Sequence, residues 1–227
     1  MSERARAERS RGAGRRTRTE RSSFPPVWWI VGTAVIVLLG LLYFGVIGPY
    51  DQRASDPGRT GSTAERPADP RITLLAGQRA PDFSLPATDG RSVRLSELQA
   101  NGNVLLYFQE GAMCPPCWQQ MRDLKRDGEK LRALNVQLVT ITVDPLSVLT
   151  QTASREQVSD MILLSDAGLA VSKTYQMLYT GMMNGATPGH SFVLIDRQGK
   201  ILWRRDFREM YVPDPMILDP VAKALGK

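Results

Sequence analysis

The sequence predicts an α/β fold, a mixed central sheet flanked by helices, preceded by one transmembrane helix. Three observations carry this expectation. Residues 27–47 run for 21 positions without a charge. Further on, short runs of β-branched and aromatic residues alternate with stretches whose apolar residues recur every three or four positions, so strands alternate with helices. Finally, Ser191-Phe192-Val193-Leu194-Ile195 and Ile201-Leu202-Trp203 flank Asp196-Arg197-Gln198-Gly199-Lys200. A four- to five-residue loop with glycine near its end marks a hairpin, which adds an antiparallel pair to strands otherwise joined by helices.

Residues 1–24 form a basic tail expected in the cytoplasm. Positions 1–21 hold Arg4, Arg6, Arg9, Arg11, Arg15, Arg16, Arg18 and Arg21 against Glu3, Glu8 and Glu20, a net charge of +5 out of the chain's +6. The basicity is local to the tail. It suits anionic lipid headgroups and, without interleaved aromatic residues, does not point to nucleic acid. Residues 25–48 are the expected transmembrane helix, because the 21 uncharged residues Val27–Ile47 would span about 31 Å, the thickness of the hydrocarbon core. Trp28, Trp29, Tyr43 and Tyr50 sit near its two ends, as interfacial aromatics do. A cleaved signal peptide would have a shorter apolar region followed by a small-x-small cleavage site, and none follows here. The arginine excess places everything after Ile47 outside the cytoplasm, so the protein is expected to cross the membrane once and to contact lipid through this helix.

Residues 49–73, rich in Pro, Gly, Asp, Ser and Arg, read as a flexible linker. The remaining residues 74–227 have the length of one domain. Within them, Val104–Phe108 reads as a strand, Gln109–Met113 as a short loop, and Met121, Leu124, Leu131 and Leu134 as one buried face of a helix running on from Trp118. A strand at Val136–Val143 follows, then a helix opened by a Ser154/Gln157 capping pair, a short strand at Met161–Leu164 and a helix from Asp166 to Met177. A glycine-rich loop, Gly181–Gly189, leads into the hairpin, and a last helix follows Pro215.

The chain's two cysteines stand in Cys114-Pro115-Pro116-Cys117. One such pair is too little for a disulfide framework, and a structural zinc site would need two further ligands from a chain with one histidine and no third cysteine. A reversible disulfide or a soft metal remains. At a helix N-terminus the partial positive charge and the free N–H groups favour thiolate, which makes Cys114 the expected attacking sulfur. Cys117, one turn into the helix, is placed to resolve the mixed disulfide.

Gly77-Gln78-Arg79-Ala80-Pro81-Asp82-Phe83-Ser84-Leu85, with Asp89-Gly90 and Leu95-Ser96-Glu97-Leu98, resembles the opening of redoxin, or AhpC/TSA-type, domains of the thioredoxin superfamily. The C-x-x-C segment and the Phe192 to Ile201 hairpin follow in that family's order, so the resemblance covers residues 74–227. It implies a thioredoxin-like fold. With the membrane helix, the chain is similar to TlpA/ResA-like thiol–disulfide oxidoreductases that act outside the bacterial inner membrane. The resemblance implies exported protein thiols or disulfides as substrates and a membrane thiol carrier as electron partner. No organic cofactor is implied, because the cysteine pair itself carries two electrons.

Thr187-Pro188 resembles the cis-proline segment that lines the substrate groove beside the cysteines. Peroxiredoxins place Pro-x-x-x-Thr/Ser-x-x-Cys around their peroxide-attacking cysteine, whereas here the corresponding positions are Tyr107 and Gly111 for Cys114, or Glu110 and Cys114 for Cys117. Dithiol exchange is therefore expected in preference to peroxidase chemistry. The family's buried proton-handling aspartate falls at Tyr107 or Phe108, leaving Glu110 as the nearby carboxylate. His190, expected in the loop before the hairpin, is an auxiliary candidate for thiolate formation. Gly189-His190-Ser191-Phe192 also resembles the stretch with which Sco copper-delivery proteins complete a copper site. The alternative expectation is Cu(I) held by Cys114, Cys117 and His190, with Met177, Met182 and Met183 on its approach.

Overall fold

The computed structural model describes residues 69–181 and 185–227. The expected cytoplasmic tail, transmembrane helix and most of the linker lie outside the described residues. Among those described, no helix is long and apolar enough to cross a membrane.

The first hairpin pairs β1 (Ser84–Pro86) with β2 (Ser92–Arg94). Helix α1 (Leu95–Asn101) follows directly, burying Leu95 and Leu98. The central sheet is built on β3 (Asn103–Phe108), which pairs in parallel with β4 (Val136–Thr142). On its other side β3 pairs antiparallel with β6 (His190–Ile195). The edges are β5 (Ile162–Ser165), parallel to β4, and β7 (Ile201–Phe207), antiparallel to β6, giving the order β5-β4-β3-β6-β7.

Strand β3 divides the core by its period of two. Val104, Leu106 and Phe108 face one layer with Phe83, Ile141 and Tyr175. Leu105 and Tyr107 face the other with Trp118, Met121, Leu124 and Phe192. A strand covered on both faces must be apolar throughout, which is why Val104–Phe108 reads as an unbroken hydrophobic run.

Several boundaries differ from expectation. The helix after the cysteines is two helices, α2 (Pro115–Arg126) and α3 (Gly128–Ala133), separated at Asp127. Asp and Gly are poor helix interiors, so the break at Asp127-Gly128 costs little. Helix α4 runs from Leu146 to Arg155, and Ser154 and Gln157 close it rather than open it. Gln157 turns left-handed at φ 59°, and its N–H donates to the Ser154 carbonyl at 3.2 Å. The buried positions Leu149 and Ala153 precede Ser154, so the periodic face placed the helix where the polar pair could only end it.

The helix expected from Asp166 to Met177 contracts to α5 (Ala170–Thr174), followed by a 3-10 turn at Met177–Thr180. Leu169 and Gln176 are both left-handed and bound it. The Asp166 carboxylate accepts the N–H groups of Val171 and Ser172, at 3.2 and 2.7 Å. The β6–β7 hairpin is as expected, but longer. Asp196 Oδ1 accepts the N–H groups of Gln198 and Lys200, and Gly199 supplies the φ of 85° that reverses the chain. The last helix, α6, spans Pro215–Ala224.

Candidate active site

The cysteines lie where β3 ends and α2 begins, the end of the parallel strands at which α/β folds gather their chemistry. Cys114 is the N-cap of α2, and Pro115 and Pro116 occupy the first helical positions, where a missing N–H leaves no broken bond. The Cys114 and Cys117 sulfurs are joined, with Cα atoms 5.3 Å apart. The Cys117 N–H points at Cys114 Sγ from 3.3 Å. That contact, added to the helix dipole, stabilises a thiolate on Cys114 once the bond is reduced. Cys114 is 3 % exposed and Cys117 is fully buried. Both prolines and Met113 are exposed, forming an apolar collar beside the buried disulfide.

The loop before Cys114 is held from three sides. Gln109 is fully buried, and its Oε1 accepts the Gly111 N–H at 3.1 Å. The buried Trp118 donates its indole N–H to the Gly111 carbonyl at 2.9 Å. Asp144, at the end of β4, accepts the Ala112 N–H through Oδ2 at 2.8 Å. Burial raises the Asp144 pKa, and the Ala112 N–H opposes that rise. Gly111 takes φ 98°, and a Cβ there would lie 2.1 Å from Asp144 Oδ2, so only glycine fits.

The loop before β6 reaches the same place. The Thr187 hydroxyl donates to Glu110 Oε1 at 3.3 Å, which brings two of the sequence candidates into contact. Pro188 is buried beside them in the chain. Glu110 also contributes to a raised Tyr107 pKa, though burial of the phenol is the larger cause.

His190 is not a loop residue. It opens β6, fully buried, with its ring 5.0, 5.3 and 5.8 Å from those of Tyr107, Phe192 and Phe207. The Tyr107 hydroxyl lies 3.3 Å from Nδ1, and Nε2 has no partner of hydrogen-bond geometry. Burial drives the His190 pKa down to about 4, which the nearby Met210 backbone only partly offsets. At neutral pH the ring is uncharged, so it cannot assist Cys114 as an imidazolium. Among the described residues, no group of three or more His, Cys, Asp or Glu side chains is placed to hold a metal ion. Met177 is buried against Arg204, whose Nη2 lies 3.7 Å from its sulfur. Met182 and Met183 lie outside the described residues.

Sequence reasoning missed the strap that joins β7 to α6. Met210 Sδ lies 3.9 Å from Cys117 Sγ. Behind it, the Val212 N–H donates to Gln120 Oε1 at 2.9 Å, Gln120 Nε2 donates to Asp214 Oδ1 at 2.7 Å, and the Tyr211 hydroxyl donates to Asp123 Oδ2 at 2.9 Å. The available signal was polar: Gln120 and Asp123 fall on the buried face of α2 and need partners there.

Asp214 is buried and faces the carboxylates of Asp127 and Asp123, and these causes raise its pKa to about 6. A carboxyl with a raised folded-state pKa contributes stability that is full below its unfolded value near 3.8 and lost as pH rises through about 6. Asp214→Asn keeps an acceptor for Gln120. It is expected to flatten the stability profile over that window and to gain about 1–2 kcal/mol at pH 7. Urea unfolding at pH 4, 5, 6 and 7 checks it, and an unchanged slope refutes it.

The chain's relatives agree with this architecture. The family model described as AhpC/TSA family matches residues 76–204. The sequence is 34% identical over 132 residues to peroxiredoxin Bcp of Escherichia coli, covering 56% of this chain and 83% of that protein. It is 27% identical over 133 residues to the thiol-disulfide oxidoreductase ResA of Halalkalibacterium halodurans, covering 58% of this chain and 69% of that protein. Among solved structures, peroxidoxin BcpB from Mycobacterium tuberculosis superposes with a TM-score of 0.56 at 27% identity, over 67% of this chain and 97% of that one. A thioredoxin-like sheet, a cysteine pair at disulfide distance on the N-terminus of α2, and a family match over more than half its length make this chain a redox protein of the AhpC/TSA family.

Proposed function

We propose that the protein is a membrane-tethered thiol–disulfide oxidoreductase working on exported proteins outside the cytoplasmic membrane of a bacterium. The observation that carries the reading is the asymmetry of the pair. Both cysteines are buried beside an exposed apolar collar, but Cys114 caps the helix with the Cys117 N–H aimed at its sulfur, while Cys117 lies one turn further in. The Cys114 thiolate attacks a substrate disulfide, forming a mixed disulfide and releasing one substrate thiolate. Cys117, losing its proton, then attacks Cys114 Sγ, closing the internal disulfide and releasing the second substrate thiolate with both electrons. The exposed Met113, Pro115 and Pro116 would supply the surface on which an extended polypeptide rests, with the half-buried Thr187 and the buried Pro188 lining the groove beside it. A membrane thiol carrier would restore the dithiol. The uncharged run at Val27–Ile47 supports the tether, and the arginines before it support the orientation.

A peroxidase reading draws on the identity with peroxiredoxin Bcp. There Cys114 would take one oxygen from a hydroperoxide, giving a sulfenic acid and an alcohol, and Cys117 would displace water to give the same disulfide. The site chemistry favours exchange. Gly111 offers no hydroxyl where peroxidases hold Thr or Ser, and the Tyr107 hydroxyl is engaged by His190.

The reduced chain offered equal concentrations of a peptide disulfide and of hydrogen peroxide decides between them. Faster oxidation by the peptide is expected. Faster oxidation by peroxide, with a sulfenic acid trapped on Cys114 in the Cys117→Ser variant, would establish the peroxidase instead.

A further inference from the structure

The geometry points to a Cu(I) site made of three sulfurs, Cys114 Sγ, Cys117 Sγ and Met210 Sδ, that forms when the disulfide is reduced. Met210 comes from the strap after β7, 93 positions from Cys117 in the chain, and its thioether meets the Cys117 sulfur at 3.9 Å. Three sulfurs each 3.9 Å from the others would surround a point about 2.3 Å from each, an ordinary distance from a d10 metal ion to thiolate sulfur, and the Cys117–Met210 pair already stands at that separation. The third corner is Cys114. Its Cα is 5.3 Å from that of Cys117, which leaves room for the two sulfurs to part by side-chain rotation once they are no longer bonded.

The donor set selects the ion. Two thiolates and a thioether are soft ligands that suit Cu(I), whereas a structural zinc site asks for four nitrogen or sulfur donors. No group of three His, Cys, Asp or Glu stands among the described residues to supply a borderline or hard ion. His190 stands among three aromatic rings with Nδ1 against the Tyr107 hydroxyl, so only its Nε2 is left to compete with Met210 as the third donor, and the nitrogen count in the shell tells the two apart.

The charges and protons balance. A dithiol reductant supplies two electrons and two protons to the disulfide, and Cu(I) then displaces both protons to leave a bis-thiolate complex of net charge −1. The N-terminus of the twelve-residue α2, with the Cys117 N–H already aimed at Cys114 Sγ, favours that negative charge. Met113, 89 % exposed and next to Cys114 in the chain, gives an arriving soft ion a first donor at the surface. The Tyr211–Asp123 and Val212–Gln120 bonds hold Met210 over the cysteines.

The site needs a reducible cysteine pair but not exchange with protein thiols, so the two readings fail separately. The full chain, reduced with a phosphine and kept anaerobic, is titrated with Cu(I) against a chelator of known affinity, and X-ray absorption counts the bound ligands. One Cu(I) with three sulfurs and no nitrogen is expected. Met210→Leu keeps the side-chain volume and is expected to bind about tenfold more weakly or worse, with two sulfurs in the shell. A wild-type chain that reduces fully but cannot compete for Cu(I), equal binding by Met210→Leu, or a nitrogen in the shell would overturn the site. If Met210→Leu did not fold, the ligand count on the wild-type chain alone decides.

Discussion

Cys117→Ser is expected to accumulate covalent mixed disulfides with substrate proteins, whereas Cys114→Ser is expected to form none and to lose turnover by a factor of about a thousand or more. Only Cys114 combines the N-cap position and an N–H aimed at its sulfur, and its chain neighbours Met113 and Pro115 are exposed. Cys117 is fully buried, and its sulfur is further covered by Met210. On this reading an incoming disulfide is attacked by Cys114. With serine at 117 the second step has no nucleophile, so the first product persists. Non-reducing gels and mass spectrometry of the two variants, together with alkylation rates across pH, read this directly. If Cys114→Ser were the trapping variant, or Cys117 the faster-alkylated thiol, the roles of the two sulfurs would be exchanged.

Gly111→Ala is expected to destabilise the domain by about 2–4 kcal/mol without touching either cysteine. Alanine at φ 98° is strained, and its Cβ would fall 2.1 Å from Asp144 Oδ2, pushing the carboxylate off the Ala112 N–H. For a domain of this size that corresponds to a melting temperature lower by roughly 10 °C. The clash and the strain are separable. Asp144→Ala removes the clash but not the φ, so in a double-mutant cycle the second substitution should cost less in the Gly111→Ala background than in the wild type. Additive effects would show that Asp144 does not press on Gly111. A loss under about 0.5 kcal/mol in Gly111→Ala would show that the loop before Cys114 is not held as described.

Much of the fold was legible because its signals are local. The apolar run Val104–Phe108 could only be a strand covered on both faces, and the loop from Asp196 to Lys200 could only close a hairpin, since Gly199 and the Asp196 side chain complete that turn among themselves. The cysteine pair on a helix start was equally local, because proline at the first helical positions and a sulfur at the cap need nothing from elsewhere in the chain. Helix ends were less legible. Ser154 and Gln157 suit either end of a helix, and the buried face of α4 decided between them. Asp166 holds α5 from four residues before its first residue, a bond that a pattern of adjacent caps does not reveal.

The site divides along the same line. The sequence by itself named two cysteines, a neighbouring carboxylate and the Thr187-Pro188 loop as candidates, and the Thr187–Glu110 bond brings two of them together. Only the tertiary structure decided the surroundings. It placed His190 in a β-strand among aromatic rings, where desolvation keeps it neutral, and brought Met210 across the sheet to the sulfur of Cys117. It also set Asp144, from the loop after β4, against Gly111. A residue's chemistry can be read from its type, but its charge state and its partner depend on burial and on contacts between distant segments. Those follow from how β3, β4, β6 and β7 pair, which local spacing does not encode.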